Sequence, residues 1–386
     1  MFGGGAMHVI VIVAGVVGAV LVLMVWLSVL RTVLTPRARS SQVARATLRV
    51  VAPCVLAVAK RLPRRDSRER VLDMCAPVTL FGIAGVWVGA SLLGFSLLGW
   101  ALHGLATGTV AWSEFHVARW RGGPLAGLVW VSEALLLAAI TTYIMRFTDA
   151  YGRRERAVAR LAGRVVKPQD ADALLVAYLR TGSRDHLDTM FGQWTDWMTD
   201  VETTHVAYPA LTFSRPVGDL CWLEAAVTVL DIAAVTEAVA PYWAPPCTRA
   251  LLTTGSRCMQ RLAAEFCLVL PRASVSLQGR EERSFSDTLR AAQNVGLPAE
   301  RDEQEAWLVF QSLRTRYAPH AHAMETHLLY DEIGMAWADD DLGDLAEDGD
   351  TGVTGVTEFG RYDGREGDGG GVTPRWPDNG KDTARS

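Results

Sequence analysis

Three long apolar stretches separated by basic segments constrain the fold of this chain more than any other feature. Residues 9–30 contain one polar side chain, Ser28, and at about 1.5 Å per helical residue they reach about 33 Å, enough to cross the hydrocarbon core of a bilayer. Residues 75–102 contain no charged side chain, and residues 124–145 contain one, Glu133. The sequence therefore predicts a membrane protein with three transmembrane helices.

The basic residues predict which ends of these helices face the cytoplasm. Residues 31–73 carry eleven Lys or Arg and three Asp or Glu, and residues 146–167 carry seven basic and two acidic side chains. Residues 103–123 carry only two Arg and one Glu. Because loops rich in Lys and Arg stay in the cytoplasm, we expect a multi-pass protein of the cell membrane with its N-terminus outside and its C-terminal part inside. Residues 1–7 contain no basic side chain, so we expect the first stretch to be an uncleaved anchor rather than a secretory signal.

The first basic segment contains an apolar stretch of its own, residues 50–59, which is broken by Pro53 and flanked by Arg49 and Lys60. It is too short to cross the bilayer, so we expect an interfacial helix. Each basic side chain beside it would add about 1 kcal/mol of attraction to anionic lipids. The alternative is that these charges only set the orientation of the chain. The segment lacks interleaved aromatic residues and adjoins a membrane stretch, which favours lipid over nucleic acid as its partner.

The chain beyond the third stretch is predicted to form an all-α domain. Pro and Gly separate its apolar segments, and the period-2 alternation typical of strands is nearly absent. Helices are expected at residues 187–205, 223–239, 249–270, 284–295 and 300–317.

Two of these helices carry additional signals. In residues 223–239, Glu224, Thr228 and Asp231 form one polar stripe on an otherwise apolar helix, which indicates deep packing. The helix at residues 284–295 has Ser286 as a candidate N-cap, and Gly296 follows its end.

The composition changes abruptly after residue 335. Residues 336–386 contain thirteen acidic and five basic side chains and eleven glycines, which predicts a disordered acidic tail. The chain is therefore expected to divide into a first transmembrane helix (1–30), a basic cytoplasmic loop with an interfacial helix (31–73), a module of two transmembrane helices and a short outer linker (74–148), a helical cytoplasmic domain (149–335) and the tail.

Glu133 is the one ionisable residue in the third stretch, and a charge inside the bilayer is costly unless it faces water or a partner. One interpretation is an ion or proton pathway, with Thr141 and Thr142 lining the same pore. The other is that Glu133 lies near the outer interface, where water or a neighbouring arginine satisfies it. Thr141 and Thr142 could also bond the backbone of their own helix.

His320, His322 and His327 with Glu325 form the one cluster of histidines, and such residues can bind a metal. Their spacing does not put them on one face of a helix, which makes them poor metal candidates.

His205 lies beside Thr204, Glu202 and Asp200, a set that could serve acid–base chemistry or could surround a buried, hydrogen-bonded histidine. The chain contains no G-x-S-x-G, Walker A, dinucleotide-binding or H-E-x-x-H motif, so we expect neither an enzyme nor a cofactor. Its six cysteines form no C-x-x-C pair, and we expect free thiols.

Several segments after the third stretch also carry a family resemblance. They are Tyr151-Gly-Arg-Arg-Glu155, Thr204-His-Val-Ala-Tyr-Pro-Ala-Leu-Thr-Phe-Ser-Arg-Pro216, Trp222, Val229-Leu-Asp-Ile-Ala233, Trp307 and Tyr317. On them, residues 10–330 resemble bacterial integral membrane proteins grouped with two-transmembrane, potassium-channel-like pore modules. The resemblance implies that the second and third stretches are the outer and inner helices of a pore, with the linker as pore loop, in a homo-oligomer that is a tetramer or a dimer.

The linker departs from the pattern that potassium selectivity requires, which is a pore helix followed by a Thr-x-Gly-Tyr or Thr-x-Gly-Phe segment. Thr107-Gly-Thr-Val110 comes nearest, but it follows the second stretch with no room for a pore helix. We therefore expect a channel-like module with a degenerate pore that could conduct cations. The alternatives are a non-conducting membrane anchor whose helical domain binds a partner, and an enzyme that uses the His205 or His320 region.

Overall fold

The computed structural model describes residues 4–33, 42–107, 126–163, 171–181, 184–216, 218, 220–270 and 280–330. These residues form α-helices and a short 3₁₀ helix, with no β-strand among them, which confirms the all-α fold class. Most of the linker and the whole acidic tail lie outside the described residues, so the predicted pore loop and the predicted disorder stay predictions.

The first five helices contain the apolar stretches. They are α1 (Gly4–Val33), α2 (Gln42–Lys60), α3 (Arg65–Asp73), α4 (Cys75–Thr107) and α5 (Ala126–Ala162). Four helical segments within them are long and apolar enough to cross a membrane, and they mark the chain as a membrane protein. Three are the predicted spans, and the fourth is α2, which extends for 19 residues through Pro53 where the sequence predicted a shorter interfacial helix.

Helices α1 and α4 approach each other closely enough for their backbones to touch. A Cβ atom on Gly18 would lie 2.6 Å from the Gly94 carbonyl oxygen, and one on Gly94 would lie 3.0 Å from the Gly18 carbonyl oxygen. Small residues permit this approach, which is how helices associate within a membrane. The indole of Trp87 donates to Ser28 Oγ over 3.2 Å and packs edge-on against Tyr143 of α5. The three helices therefore share one packed core.

Helix α5 is continuous well past the end of the third apolar stretch. It runs from Ala126 to Ala162, so the expected boundary between residues 148 and 149 falls inside one helix and does not separate two units. Arg146 on α5 donates to the carbonyl oxygen of Val33, the last residue of α1, over 2.5 Å. This bond satisfies an unpaired helix-terminal carbonyl and fixes where α1 ends along α5.

The remaining helices form the helical domain, together with the last turns of α5. They are α6 (Ala171–Thr181), α7 (Arg184–Ala207), a 3₁₀ helix (Pro209–Phe213), α8 (Trp222–Val239), α9 (Cys247–Glu265), α10 (Arg280–Asn294), α11 (Glu303–Arg314) and α12 (Ala318–Leu328). Helix α8 is enclosed almost completely, and even Thr228 and Asp231 of its polar stripe are buried, which confirms the predicted deep packing.

The start and the end of α10 differ in how well the sequence predicted them. Gly296 follows the helix with a φ of +107°, a conformation that favours glycine, so the predicted end is confirmed. The predicted N-cap is wrong because α10 begins at Arg280, six residues before Ser286. The Ser286 hydroxyl instead donates to Glu303 and ties α10 to the start of α11.

The helical domain draws part of its core from the first half of the chain. Leu48 and Ala52 of α2 and Cys75 of α4 belong to the same buried cluster as Trp222 of α8. The domain is thus continuous with the helices that precede it.

Candidate functional site

Arg154 of α5 is the most deeply buried charged residue in the described part of the chain, with 1% of its surface exposed. Its Nη1 donates to the Leu211 carbonyl oxygen over 2.8 Å, and its Nη2 donates to the Ser214 carbonyl oxygen over 3.0 Å. Its Nε donates to Glu155 Oε1 over 2.9 Å, and this carboxylate balances the charge. Every guanidinium nitrogen therefore has an acceptor, which a buried charge requires.

His205 of α7 completes this arrangement. Its Nδ1 lies 2.9 Å from the Val201 carbonyl oxygen, which only accepts hydrogen bonds, so we assign the ring proton to Nδ1. The bare Nε2 then accepts from Arg154 Nη1 over 3.3 Å. Complete burial holds the pKa of His205 well below 6.5, and the positive charge of Arg154 lowers it further against the opposing hydrogen bond to Val201. His205 is therefore neutral at pH 7.

Aromatic rings close the remaining sides of the guanidinium. The Arg154 Cζ atom lies 5.2 Å from the ring centroid of Tyr151 and 5.6 Å from that of Trp222. The Tyr151 hydroxyl donates to the Arg215 carbonyl oxygen over 2.9 Å. Arg154 thus joins α5, α7, α8 and the 204–216 segment, and we call Arg154, His205, Tyr151 and Trp222 the arginine junction.

The neighbouring Arg153 points the other way and stays partly exposed. Its Nε and Nη2 donate to the two carboxylate oxygens of Asp200 over 3.1 and 3.2 Å, and Asp149 is a second partner. This bidentate pair lies on the surface between α5 and α7. Successive arginines of α5 therefore differ in role, one enclosed in the core and one bridging the surface.

A second polar cluster ties α8 to the end of α11. Asp231 Oδ1 accepts from Arg314 Nε over 3.3 Å and from the Tyr317 hydroxyl. Burial raises the pKa of Tyr317 well above 10, and the Asp231 charge raises it further. Trp307 lies in an aromatic group with Phe285 and Phe310.

The residues considered for acid–base chemistry do not face a common site. Glu202 accepts from Arg257 over 3.1 Å and from Arg261 over 2.7 Å, which joins α7 to α9. Asp200 pairs with Arg153, and the Thr204 hydroxyl donates to the Asp200 carbonyl oxygen. His205 is buried and hydrogen-bonded, which confirms the second of the two interpretations.

The pore-lining candidates do not share one face of α5. Nine residues of an unbroken α-helix turn about 900°, so Thr142 projects from the side opposite to Glu133, and Thr141 lies between them. The hydroxyls of Thr141 and Thr142 donate to the carbonyl oxygens of Leu137 and Ala138 over 2.9 and 2.8 Å, as predicted for threonine in an apolar helix. Glu133 is half-buried beside Ser132, which accepts from the Trp26 indole over 3.0 Å.

The histidine cluster is spread over α12. His327 packs between the rings of Phe213 and Phe266, each with its centroid 5.8 Å away, while His322 Nδ1 lies 3.3 Å from Glu325 Oε2. His320 is half-buried. No group of three His, Cys, Asp or Glu side chains arranged to bind a metal occurs within the described ranges. All six cysteines are free, as predicted.

Two small concavities lie in the described part of the chain, and no residue of the arginine junction lines either of them. One is a crevice of about 10 Å³, lined by residues that include Leu72, Thr212 and Arg215. The other is an open cleft of about 250 Å³ between α10 and α11, lined by residues that include Glu303 and Trp307.

The arginine junction was not predicted, although the sequence holds a signal for it. Arg154 follows Tyr143, Phe147 and Ala150 and precedes Val158 at steps of three and four residues, so it occupies the buried stripe of α5. Residues 151–155, residues 204–216 and Trp222 meet at this junction, and Asp231 and Tyr317 meet at the second polar cluster. Neither protein-family models, nor curated proteins, nor solved structures match this chain.

Proposed function

We propose that this chain is a multi-pass membrane protein in which α5 couples the membrane helices to the helical domain, and that it acts as a membrane-anchored sensor or scaffold. The main support for the proposal is that α5 is a single helix from the apolar bundle to the arginine junction. A rigid helix transmits a tilt or shift from one end to the other, whereas a flexible linker would not.

The proposed orientation has the N-terminus outside and the helical domain in the cytoplasm. The excess of basic residues in 31–73 and 146–167 supports it. The exposed thiol of Cys267 in the helical domain gives a direct test in intact cells. A membrane-impermeant maleimide should label Cys267 only after permeabilisation, in a variant whose other accessible thiols, Cys54 and Cys247, are serine. Labelling of Cys267 in intact cells would show that the helical domain lies outside the cell.

The coupling is tested by amide hydrogen exchange of the full chain in bilayers of increasing acyl-chain length. A change in thickness alters the tilt of membrane helices. Exchange in residues 204–216, which Arg154 holds, should therefore change with thickness, while exchange in α11 should not. In a Thr148→Gly/Asp149→Gly variant, which weakens α5 between the bundle and the junction, the response should disappear. If hydrogen exchange in residues 204–216 of the unaltered chain did not change with bilayer thickness, α5 would connect the two parts of the chain without coupling them.

Cation conduction is the second candidate, and one observation favours it, the half-buried carboxylate of Glu133 in an apolar helix. The described residues of α1, α4 and α5 pack around Trp87 and Tyr143, so a conducting path would have to run between copies of the chain. The test is potassium flux into liposomes, with Glu133→Ala beside Thr142→Ala, which lies on the opposite side of α5. Flux lost only in Glu133→Ala supports conduction, and tight liposomes containing folded protein would exclude it.

A further inference from the structure

Helix α2 presents apolar side chains on two opposite faces. Its inner face is buried against the rest of the protein and consists of Ala44, Leu48, Ala52 and Ala59. Its outer face carries Val50 and Val58, which are 68% and 51% exposed, with the exposed Cys54 and Ala57 between them. An apolar face that no described residue covers requires a partner or a lipid environment.

Both ends of α2 contact elements that pack with the helical domain. Near its start, Arg45 Nη1 lies 3.8 Å from Glu265 Oε1 at the end of α9. Near its end, Ala59 packs with Leu72 and with Leu329, the residue after α12. Nineteen helical residues span about 28 Å, nearly the thickness of the hydrocarbon core. If α2 crossed the bilayer, one of these ends would lie on the far side from the domain, so the contacts exclude a crossing despite its length and composition.

Helix α2 contacts α4 close to the point where α4 enters the apolar bundle. A Cβ atom on Gly82, two turns into α4, would lie 2.7 Å from Thr47 Cγ2 of α2. The exposed Met74 stands immediately before α4. An exposed apolar surface beside the start of α4 is placed to meet lipid headgroups.

The exposed charges of α2 match an anionic leaflet. Arg49 and Lys60 are exposed and eleven residues apart, which is three turns, so they lie on one edge of the helix between its two faces. Basic residues at the edge of an apolar face are typical of helices that lie in the membrane interface.

We propose that α2 lies in the plane of the membrane, with its outer face in the headgroup region of an anionic leaflet and its inner face on the helical domain. The leaflet concerned depends on the orientation proposed above, but the contact itself does not depend on coupling through α5. The lipid surface and the helical domain then contact the same helix, with Arg49 and Lys60 towards the lipid and Leu48 and Ala52 in the core of the domain.

The test measures the depth of Cys54 in the full chain reconstituted in vesicles. A fluorophore is attached to Cys54 in a Cys247→Ser/Cys267→Ser variant, in which the three remaining thiols are buried. Lipids that carry a quencher near the headgroup should quench it more strongly than lipids that carry the quencher at the bilayer centre. A label on the native Cys247, at the end of α9 opposite to Glu265, is the matched control and should resist both quenchers.

The anionic preference is tested by comparing phosphatidylglycerol vesicles with phosphatidylcholine vesicles. Shallow quenching should be stronger with phosphatidylglycerol, and Arg49→Gln and Lys60→Gln should each weaken the attraction about fivefold. Arg290→Gln, which removes an exposed charge on α10, should leave the attraction unchanged. Strongest quenching from the bilayer centre would show that α2 crosses the membrane and would overturn the proposal, as would no quenching, equal quenching of Cys247, or indifference to lipid charge. If hydrogen exchange in residues 204–216 did not respond to bilayer thickness, the proposed coupling through α5 would fail, but these quenching results would still stand.

Discussion

Arg154 illustrates how one residue can hold several segments together. Its guanidinium donates to backbone carbonyls, to Glu155 and to His205, which come from three different parts of the chain. Because these acceptors are buried, each would lose its partner if the side chain were shortened.

Arg154→Gln should destabilise the protein by about 3–5 kcal/mol, because it removes the charge and leaves buried acceptors unsatisfied. Arg153→Gln, one residue away, should cost less than about 1 kcal/mol, since the pair with Asp200 is partly exposed. Chemical unfolding of both variants in detergent, followed by tryptophan fluorescence, measures the difference. Equal losses would mean that the junction contributes no more than a surface ion pair.

The pH dependence of stability should combine two opposite contributions. His205 is neutral when folded and has a depressed pKa, so below about 6.5 the unfolded chain binds a proton that the folded chain does not, and stability falls as pH falls, by up to about 1.4 kcal/mol per pH unit. Glu224 has its pKa raised by burial to about 7, so the folded chain binds the additional proton below that pH and stability rises.

His205→Gln should therefore flatten the loss of stability on acidification from pH 7 to pH 5, and Glu224→Gln should steepen it. Unfolding midpoints at a series of pH values give both slopes. His320 and His327, whose pKa values burial also lowers, contribute in the same direction as His205 and remain unchanged in both variants. If stability changed with pH by the same slope in both variants, His205 and Glu224 would not make the opposite contributions assigned to them.

Among the helices, the α1–α4 pair shows how close approach depends on particular glycines. Gly18→Ala would put a Cβ atom 2.6 Å from a backbone oxygen of α4, which forces the helices apart and should cost about 1–3 kcal/mol. Gly89→Ala on the open side of α4 meets no atom within 4 Å and should be neutral or slightly stabilising. Thermal unfolding of the two variants in detergent compares them, and a similar loss in both would indicate a general effect of glycine replacement in these helices.

Helices α2 and α5 are both longer than their apolar stretches predicted, for different reasons. In α5, the apolar stretch ends at Met145, yet the helix continues because Phe147, Ala150, Val158 and Leu161 keep the buried stripe in phase. In α2, apolar residues on two faces give the helix the length and composition of a span, while its contacts keep it beside the helical domain.

At the scale of the whole molecule, the helical domain does not end where the apolar stretches end. Its core includes Leu48, Ala52 and Cys75 from the first 75 residues, together with the last turns of α5. A fragment of residues 149–330 should therefore expose apolar surface of α8 and the 3₁₀ helix. We expect it to aggregate in size-exclusion chromatography, whereas the full chain in detergent should elute as one species. A monodisperse, cooperatively unfolding fragment would show that the domain is independent.

The sequence by itself determined the all-α class, the three long apolar helices, the deeply packed α8, the end of α10 at Gly296 and the free cysteines. Each of these depends on local composition or on helical periodicity, which neighbouring residues set. It also gave a buried, hydrogen-bonded His205 as one of two interpretations, because no nucleophile with a placed partner accompanies the histidine.

Only the tertiary structure decided which distant segments meet. Apart from the neighbouring Glu155, Arg154 finds its acceptors 51 to 60 residues away, and α2 contacts Glu265 and Leu329, more than 200 residues away. No periodicity within a helix encodes such partners, because they depend on how all the helices fill a common core. The relative placement of Glu133, Thr141 and Thr142 is in contrast a local property, because one unbroken helix turns Thr142 to the side opposite to Glu133.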